Sequence, residues 1–286
     1  NNCKYYWLND KINLKKIKGY TEYKIGGSDY GFVSLLEFPI NHNFIGGKIS
    51  YERDYRYEFS LYTNLTEKAG KMKDSDWIYD FGIEGKDIYS ESDSYLNNSY
   101  LLTLEITNNL KNNENFHFKT KSGYKQQYFD YTIKDGIQYG GITGTGRYIP
   151  KDYGFILSGE LLEYTVYYEI PYIGFDVFYK NKNCNFSYGM DFSNYVRAYD
   201  RDDHLLRDKI SYSEAEGNYY YVDSNFQYII KKNIRLNTSL SYLFIETLGL
   251  QKQYKYGGKT KEFIGSVITR IESEQSSLSL GIEIDF

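Results

Sequence analysis

Proline, cysteine, methionine and tryptophan are scarce, at 3, 2, 2 and 2 residues in a chain of 286. The cysteines, Cys3 and Cys184, are too few for a disulfide-scaffolded fold. No apolar run exceeds four residues, as at Tyr5–Leu8 or Tyr242–Ile245. A transmembrane helix needs about 20, so helical spans are excluded. The formal charge is only -4, which gives no electrostatic reason to expect nucleic acid as a partner. The chain begins Asn1-Asn2-Cys3, with neither Met nor a charged-then-apolar leader, and an export signal is expected to have been removed.

Tyrosine is abundant instead, with 35 residues beside 17 Phe and 25 Gly. So many large aromatics can bury surface, which argues against disorder. Helix signatures are nearly absent, and the dominant pattern has period two, the mark of strands with unlike faces. Leu278, Leu280, Ile282, Ile284 and Phe286 alternate with Ser279, Gly281, Glu283 and Asp285. Leu236, Leu240, Tyr242 and Phe244 likewise oppose Asn237, Ser239 and Ser241. A soluble sandwich would also alternate. A terminal strand ending in Phe, and Tyr or Phe along nearly every strand, favour a membrane barrel with aromatic girdles.

Turn chemistry divides the chain into ten strands of roughly 15–20 residues. Short polar turns fall near Glu52–Arg56, Lys111–Asn115, Lys180–Cys184 and Lys231–Asn233. Longer connections fall near Gly26–Asp29, Gly70–Asn97, Asp135–Gly154, Asp200–Gly217 and Leu250–Glu262. The expectation is an all-β fold: one domain over 1–286, a ten-stranded antiparallel, up-and-down transmembrane β-barrel with long extracellular loops. Both termini then face the periplasm, and the strands project above the membrane.

Two acidic clusters fall at the same predicted rim. In extended backbone, Asp74 and Asp76 of Met72-Lys73-Asp74-Ser75-Asp76-Trp77 share a face, as paired carboxylates that hold a proton or a water do. In Asp200-Arg201-Asp202-Asp203-His204 the same spacing puts Asp200, Asp202 and His204 together. A carboxylate beside an imidazole can orient it as a general base. Either cluster alone reads as a solvated acidic loop; their coincidence at one rim carries more weight. Gly258-Lys259-Thr260 lacks the first Gly and the helix of a phosphate loop. His42, His117 and His204 are scattered, so no metal is expected.

These residues resemble the omptins, ten-stranded outer-membrane proteases of Gram-negative bacteria. Met72–Trp77 is similar to the family's M-x-D-x-D-W segment and Asp200–His204 to its D-x-D-x-H segment. Likeness is nearly continuous from Tyr164 to His204, including Ile170-Pro171-Tyr172-Ile173-Gly174, and recurs at Val33-Ser34-x-Leu36, Gly123-Tyr124-x-Gln126 and Asn218-Tyr219-Tyr220. The resemblance implies a cell-surface endopeptidase cutting next to or between Arg and Lys, its active site facing outward. Asp202 and His204 would activate a water opposite Asp74 and Asp76, with Glu22 and Asp200 at the base of the S1 pocket. It implies peptide or protein substrates, an outer-membrane lipid environment and a monomer. No cofactor follows, beyond lipopolysaccharide as a lipid activator held by basic side chains on the outer wall. At the matching positions stand Tyr128, Tyr167 and Ala215, none of them basic. Apart from the resemblance, an oxidising periplasm predicts a Cys3–Cys184 disulfide. The rival reading is a non-catalytic barrel acting as adhesin or structural protein.

Overall fold

Alternation sustained over twenty residues gives a wall with one face for lipid or solvent and one for the interior. The computed structural model describes residues 7–78, 86–112, 115–140, 154–257 and 260–285. Its strands are β1 (Trp7–Gly27), β2 (Phe32–Glu52), β3 (Arg56–Asn64), β4 (Lys68–Ile78), β5 (Ile88–Leu96), β6 (Tyr100–Asn112), β7 (Phe116–Gly140), β8 (Phe155–Lys180), β9 (Cys184–His204), β10 (Lys209–Lys231), β11 (Ile234–Gly257) and β12 (Thr260–Asp285). All pairings are antiparallel. β2 pairs with β3 over its lower part and β4 over its upper part, so β3 and β4 form one stave. β5 and β6 form the next, both pairing with β7. Twelve strands thus make ten staves, and β1 pairs with both β2 and β12 to close the ring.

The two interruptions lie side by side and are patched by one side chain. The Asn64 amide donates to the Leu96 carbonyl at 3.0 Å and accepts from the Ser99 N–H at 2.9 Å. Backbone groups that leave the ladder at the break therefore stay satisfied. At the top of β1, Gly26 has φ +90°, and a Cβ there would lie 2.2 Å from the Phe32 carbonyl oxygen. Only glycine lets the first hairpin close this tightly.

The outer face divides into zones. Around the lower half, Leu14, Ile45, Phe59, Phe175, Phe192, Leu240 and Leu280 point outward and are exposed, an apolar belt of the kind lipid covers. Higher up the same faces carry Lys24, Lys73, Arg201 and Asp203. Uninterrupted staves run from 21 to 26 residues, so at about 3.3 Å per residue they overtop an apolar belt of about 25 Å. The expected projection above the membrane follows from that excess.

The strands are longer, and the upper connections shorter, than the turn chemistry suggested. Much of the expected Gly70–Asn97 loop is β4 and β5, and most of the expected Asp200–Gly217 loop is β9 and β10. The fourth connection is a single 3-10 turn, Leu205–Arg207, closed by Asp208 in the left-handed conformation (φ 49°). Above the membrane both faces of a strand can be polar, so a charge-rich segment there need not be a loop. Cys184 begins β9 half-buried and with a free thiol; Cys3 lies outside the described residues.

The interior is packed, and its middle layer is apolar: Phe38 and Ile40 from β2, Phe129 from β7, Val166 and Ile170 from β8, and Ile245 from β11 are all buried. Below this layer lies a charged cavity of about 830 Å³. Above it is the mouth.

Candidate active site

The mouth rests on an aromatic floor. Phe38 stacks on Tyr164 with centroids 4.0 Å apart, Tyr23 lies 5.4 Å from Tyr164, and Tyr131 lies 5.4 Å from Phe38. Four staves contribute these rings, and each adjoining hydroxyl must find a partner or go without. Tyr164 and Tyr23 send theirs upward, to Asp200 and Asp202 respectively.

β9 supplies the first group of functional side chains. Alternation turns Asp200, Asp202 and His204 inward, while Arg201 and Asp203 pair with each other on the outer wall at 2.6 Å. His204 Nε2 lies 2.9 Å from Asp202 Oδ2, and the Tyr23 hydroxyl donates to the same oxygen. Burial pushes Asp202 up, but His204 and Tyr23 outweigh it and hold the carboxyl below its ordinary range. Asp202 is therefore a carboxylate at neutral pH.

β4 supplies the second group. Asp74 pairs across the ladder with Leu36, and Asp76 with Ser34. Burial, and then the neighbouring Asp76, raise Asp74 to about 7; His204 and Arg207 oppose that rise. Asp76 is raised by burial too, against a hydrogen bond from Ser34 and the charges of Arg207, His204 and Lys209. The two groups thus feel each other across the mouth. Asp74 Oδ1 and Asp202 Oδ1 are both buried acceptors without a donor among the described residues. Such a pair of acceptors can hold a water or a polar substrate atom between them.

The structure does not bring Glu22 and Asp200 together. Asp200 is buried inside, its Oδ1 accepting the Ser213 N–H at 3.0 Å and its Oδ2 facing the Tyr164 hydroxyl at 3.4 Å. Glu22 lies between the inward residues Thr21 and Tyr23, so it points outward, opposite Glu272 on β12 and Glu37 on β2. Ala215 also falls on the other face from the one expected. It is buried inside the barrel, and Glu214 and Glu216 take the outer wall.

Tyr128 and Tyr167 do face outward and pair directly. With Tyr100 and Tyr199 they form a row of phenols across four staves, with centroids 5.6 Å apart at Tyr100–Tyr128 and 6.4 Å at Tyr167–Tyr199. The nearby cations are already engaged, Arg197 with Glu216 at 3.3 Å and Arg201 with Asp203 and Glu163. Around this row the wall offers rings and hydroxyls.

Sequence reasoning missed Tyr23, Tyr164, Ser34, Ser213, Arg207 and Lys209. In a chain with 35 Tyr, no local pattern distinguishes the two that donate to Asp200 and Asp202.

Burial, opposed by Ser213 and reinforced by Asp202, raises Asp200 from an ordinary 3.8 to about 7. Between those values the folded state binds a proton that the unfolded chain has released, so stability falls as pH rises through the window. Asp200→Asn is expected to raise the unfolding midpoint at pH 8 and leave it nearly unchanged at pH 4. Denaturant titrations at the two pH values check this; an equal gain at both would assign the effect to packing.

The sequence profile of the omptin family matches residues 27–286. The chain is 26% identical to a plasminogen activator of Yersinia pestis over 218 residues, which cover 73% of this chain and 67% of the relative. It is also 26% identical to protease 7 of Escherichia coli O157:H7 over 242 residues, covering 80% and 74%. Its fold is similar to the crystal structure of outer membrane protease OmpT from Escherichia coli, with a TM-score of 0.83 at 20% identity, over 98% of this chain and 97% of that one.

Proposed function

The chain belongs to the omptin family, and we propose that this outer-membrane β-barrel is an endopeptidase cleaving next to or between Arg and Lys residues at the cell surface. The observation that carries the reading is the Asp202–His204 pair facing Asp74 and Asp76 over one aromatic floor. With Nε2–H donated to Asp202, His204 offers the Nδ1 lone pair as the base. His204 takes a proton from a water between the two groups, and the water oxygen attacks the scissile carbonyl carbon. The carbonyl π electrons move to its oxygen. Asp74, raised to about 7 by burial and by Asp76, donates a hydrogen bond from its protonated carboxyl to that oxygen. The intermediate then collapses, the imidazolium protonates the departing amine, and no acyl-enzyme forms.

Basic specificity rests on Asp200. A cationic side chain reaching the mouth's interior meets a buried carboxylate, and a neutral one would leave it unpaired. The barrel refolded in detergent, given a quenched peptide containing Arg-Arg, is expected to cut between the two arginines, with loss of cleavage in His204→Ala. Because the cations beside Tyr128 and Tyr167, Arg197 and Arg201, are engaged by carboxylates, cleavage is expected without added lipopolysaccharide as well as with it. A folded barrel that cleaves under neither condition would replace this reading with the non-catalytic one.

A further inference from the structure

Asp202 Oδ2 accepts two donors from opposite sides. One is His204, from the same strand; the other is the hydroxyl of Tyr23. Tyr23 lies on β1, which β10, β11 and β12 separate from β9 around the ring, so its hydrogen bond crosses the lumen. The Tyr23 side chain is 1% exposed and wedged against Phe38 and Tyr164. Its packing fixes where its hydroxyl points.

We propose that Tyr23 is a positioning residue, which pins the Asp202 carboxylate from the lumen side so that the imidazole of His204 can dock only from the rim side. A carboxylate held by one donor can turn about its own axis and carry the imidazole with it. Held by two, it presents one orientation, which keeps His204 Nδ1 directed at the space before Asp74 and Asp76. The phenol also draws off part of the negative charge that Asp202 would otherwise offer the imidazole. The other charged or titratable groups facing this assembly are Asp74 and Asp76 from β4, Asp200 from β9, Arg207 from the fourth connection, Lys209 from β10 and Tyr164 from β8. Tyr23→Phe leaves every one of these side chains in place.

The role rests on the protease reading, but its linkage can be measured without turnover. Tyr23→Phe keeps the ring and removes the hydroxyl. Turnover of the Arg-Arg peptide is expected to fall about tenfold with KM within about twofold, as loss of one hydrogen bond to a charged group implies. The acid limb of the rate profile is expected to move to higher pH, because Asp202 then holds the imidazolium more strongly. Tyr220→Phe is the control: this tyrosine is exposed on the outer face beside Phe192, in the belt below the mouth. It should behave as the unaltered protein does. Nitrogen NMR of the imidazole in detergent, with His204→Ala to assign the signal, reads the same linkage with no substrate. An upward shift of the His204 titration in Tyr23→Phe supports the proposal even if no peptide is cut. A titration and a rate profile both unmoved by Tyr23→Phe overturn it.

Discussion

Asp202→Asn is expected to cut turnover of an Arg-Arg peptide by about a thousandfold with KM changed little, the scale on which a mis-held general base fails. Three properties of Asp202 act together. Its charge stabilises the imidazolium formed when His204 accepts a proton. Its Oδ2 fixes which ring nitrogen carries the hydrogen, and so leaves Nδ1 as the base. It is also fully enclosed, so water cannot replace it. An amide keeps the shape but loses the charge, and two donors already compete for one oxygen. Turning its NH2 toward either donor would break that hydrogen bond. Asp74→Asn is expected to cost less, about ten- to a hundredfold, because Asp74 is already half protonated near pH 7 and an amide can still donate. Initial rates on folded variants, with β-structure verified by circular dichroism, separate the two. Asp202→Asn within tenfold of the parent would place the base elsewhere.

Much of this site is legible in the order of residues alone, for a physical reason. A strand turns every second residue to one side, so Asp74/Asp76 and Asp200/Asp202/His204 declare their common faces by spacing. What spacing does not declare is which face is inside. That depends on register, and a slip of one residue exchanges the faces. Glu22 and Ala215 show the consequence: each stands one position from a residue facing the other way. β1 also falls largely before residue 27, where the family profile match begins. No motif there anchors the register, whereas hydrogen bonds between Thr21 and Tyr168 and from Tyr23 to Asp202 fix it in the fold. Loop boundaries failed for a different reason. Charge marks a turn only where strands are half-buried in lipid or core, and Asp200–His204 lies above that level. The partners from other staves, Tyr23 and Tyr164 above all, are contacts of closure, which a linear pattern does not contain.

Asp191→Ala is expected to destabilise the barrel by about 3–5 kcal/mol, the cost of removing one partner from a buried ion cluster. In the lower cavity, Asp191 receives Lys121 at 2.8 Å on one oxygen and Lys125 at 2.7 Å on the other. Lys121 reaches it across β8 because Gly174 lies between them; a Cβ there would stand 2.5 Å from Asp191 Oδ1 and 2.9 Å from Lys121 Cε. Lys125 is further enclosed by the rings of Tyr172 and Tyr221, at 4.3 and 4.0 Å. Asp176 pairs with Lys121 at 2.7 Å and would keep it partly neutralised. Lys125 has no second carboxylate within salt-bridge distance among the described residues, so most of the loss falls there. Urea titration in lipid vesicles measures the change, and Lys125→Met in the Asp191→Ala background should recover a good part of it. The peptide-cleavage rate at temperatures where the variant stays folded is expected to remain near the parent's, since the apolar layer of Phe38, Ile40, Val166 and Ile245 separates this cluster from the mouth. A stable Asp191→Ala barrel would mean that water in the cavity already solvates the lysines. A stable fold with lost cleavage would mean that the two chambers are coupled through that layer.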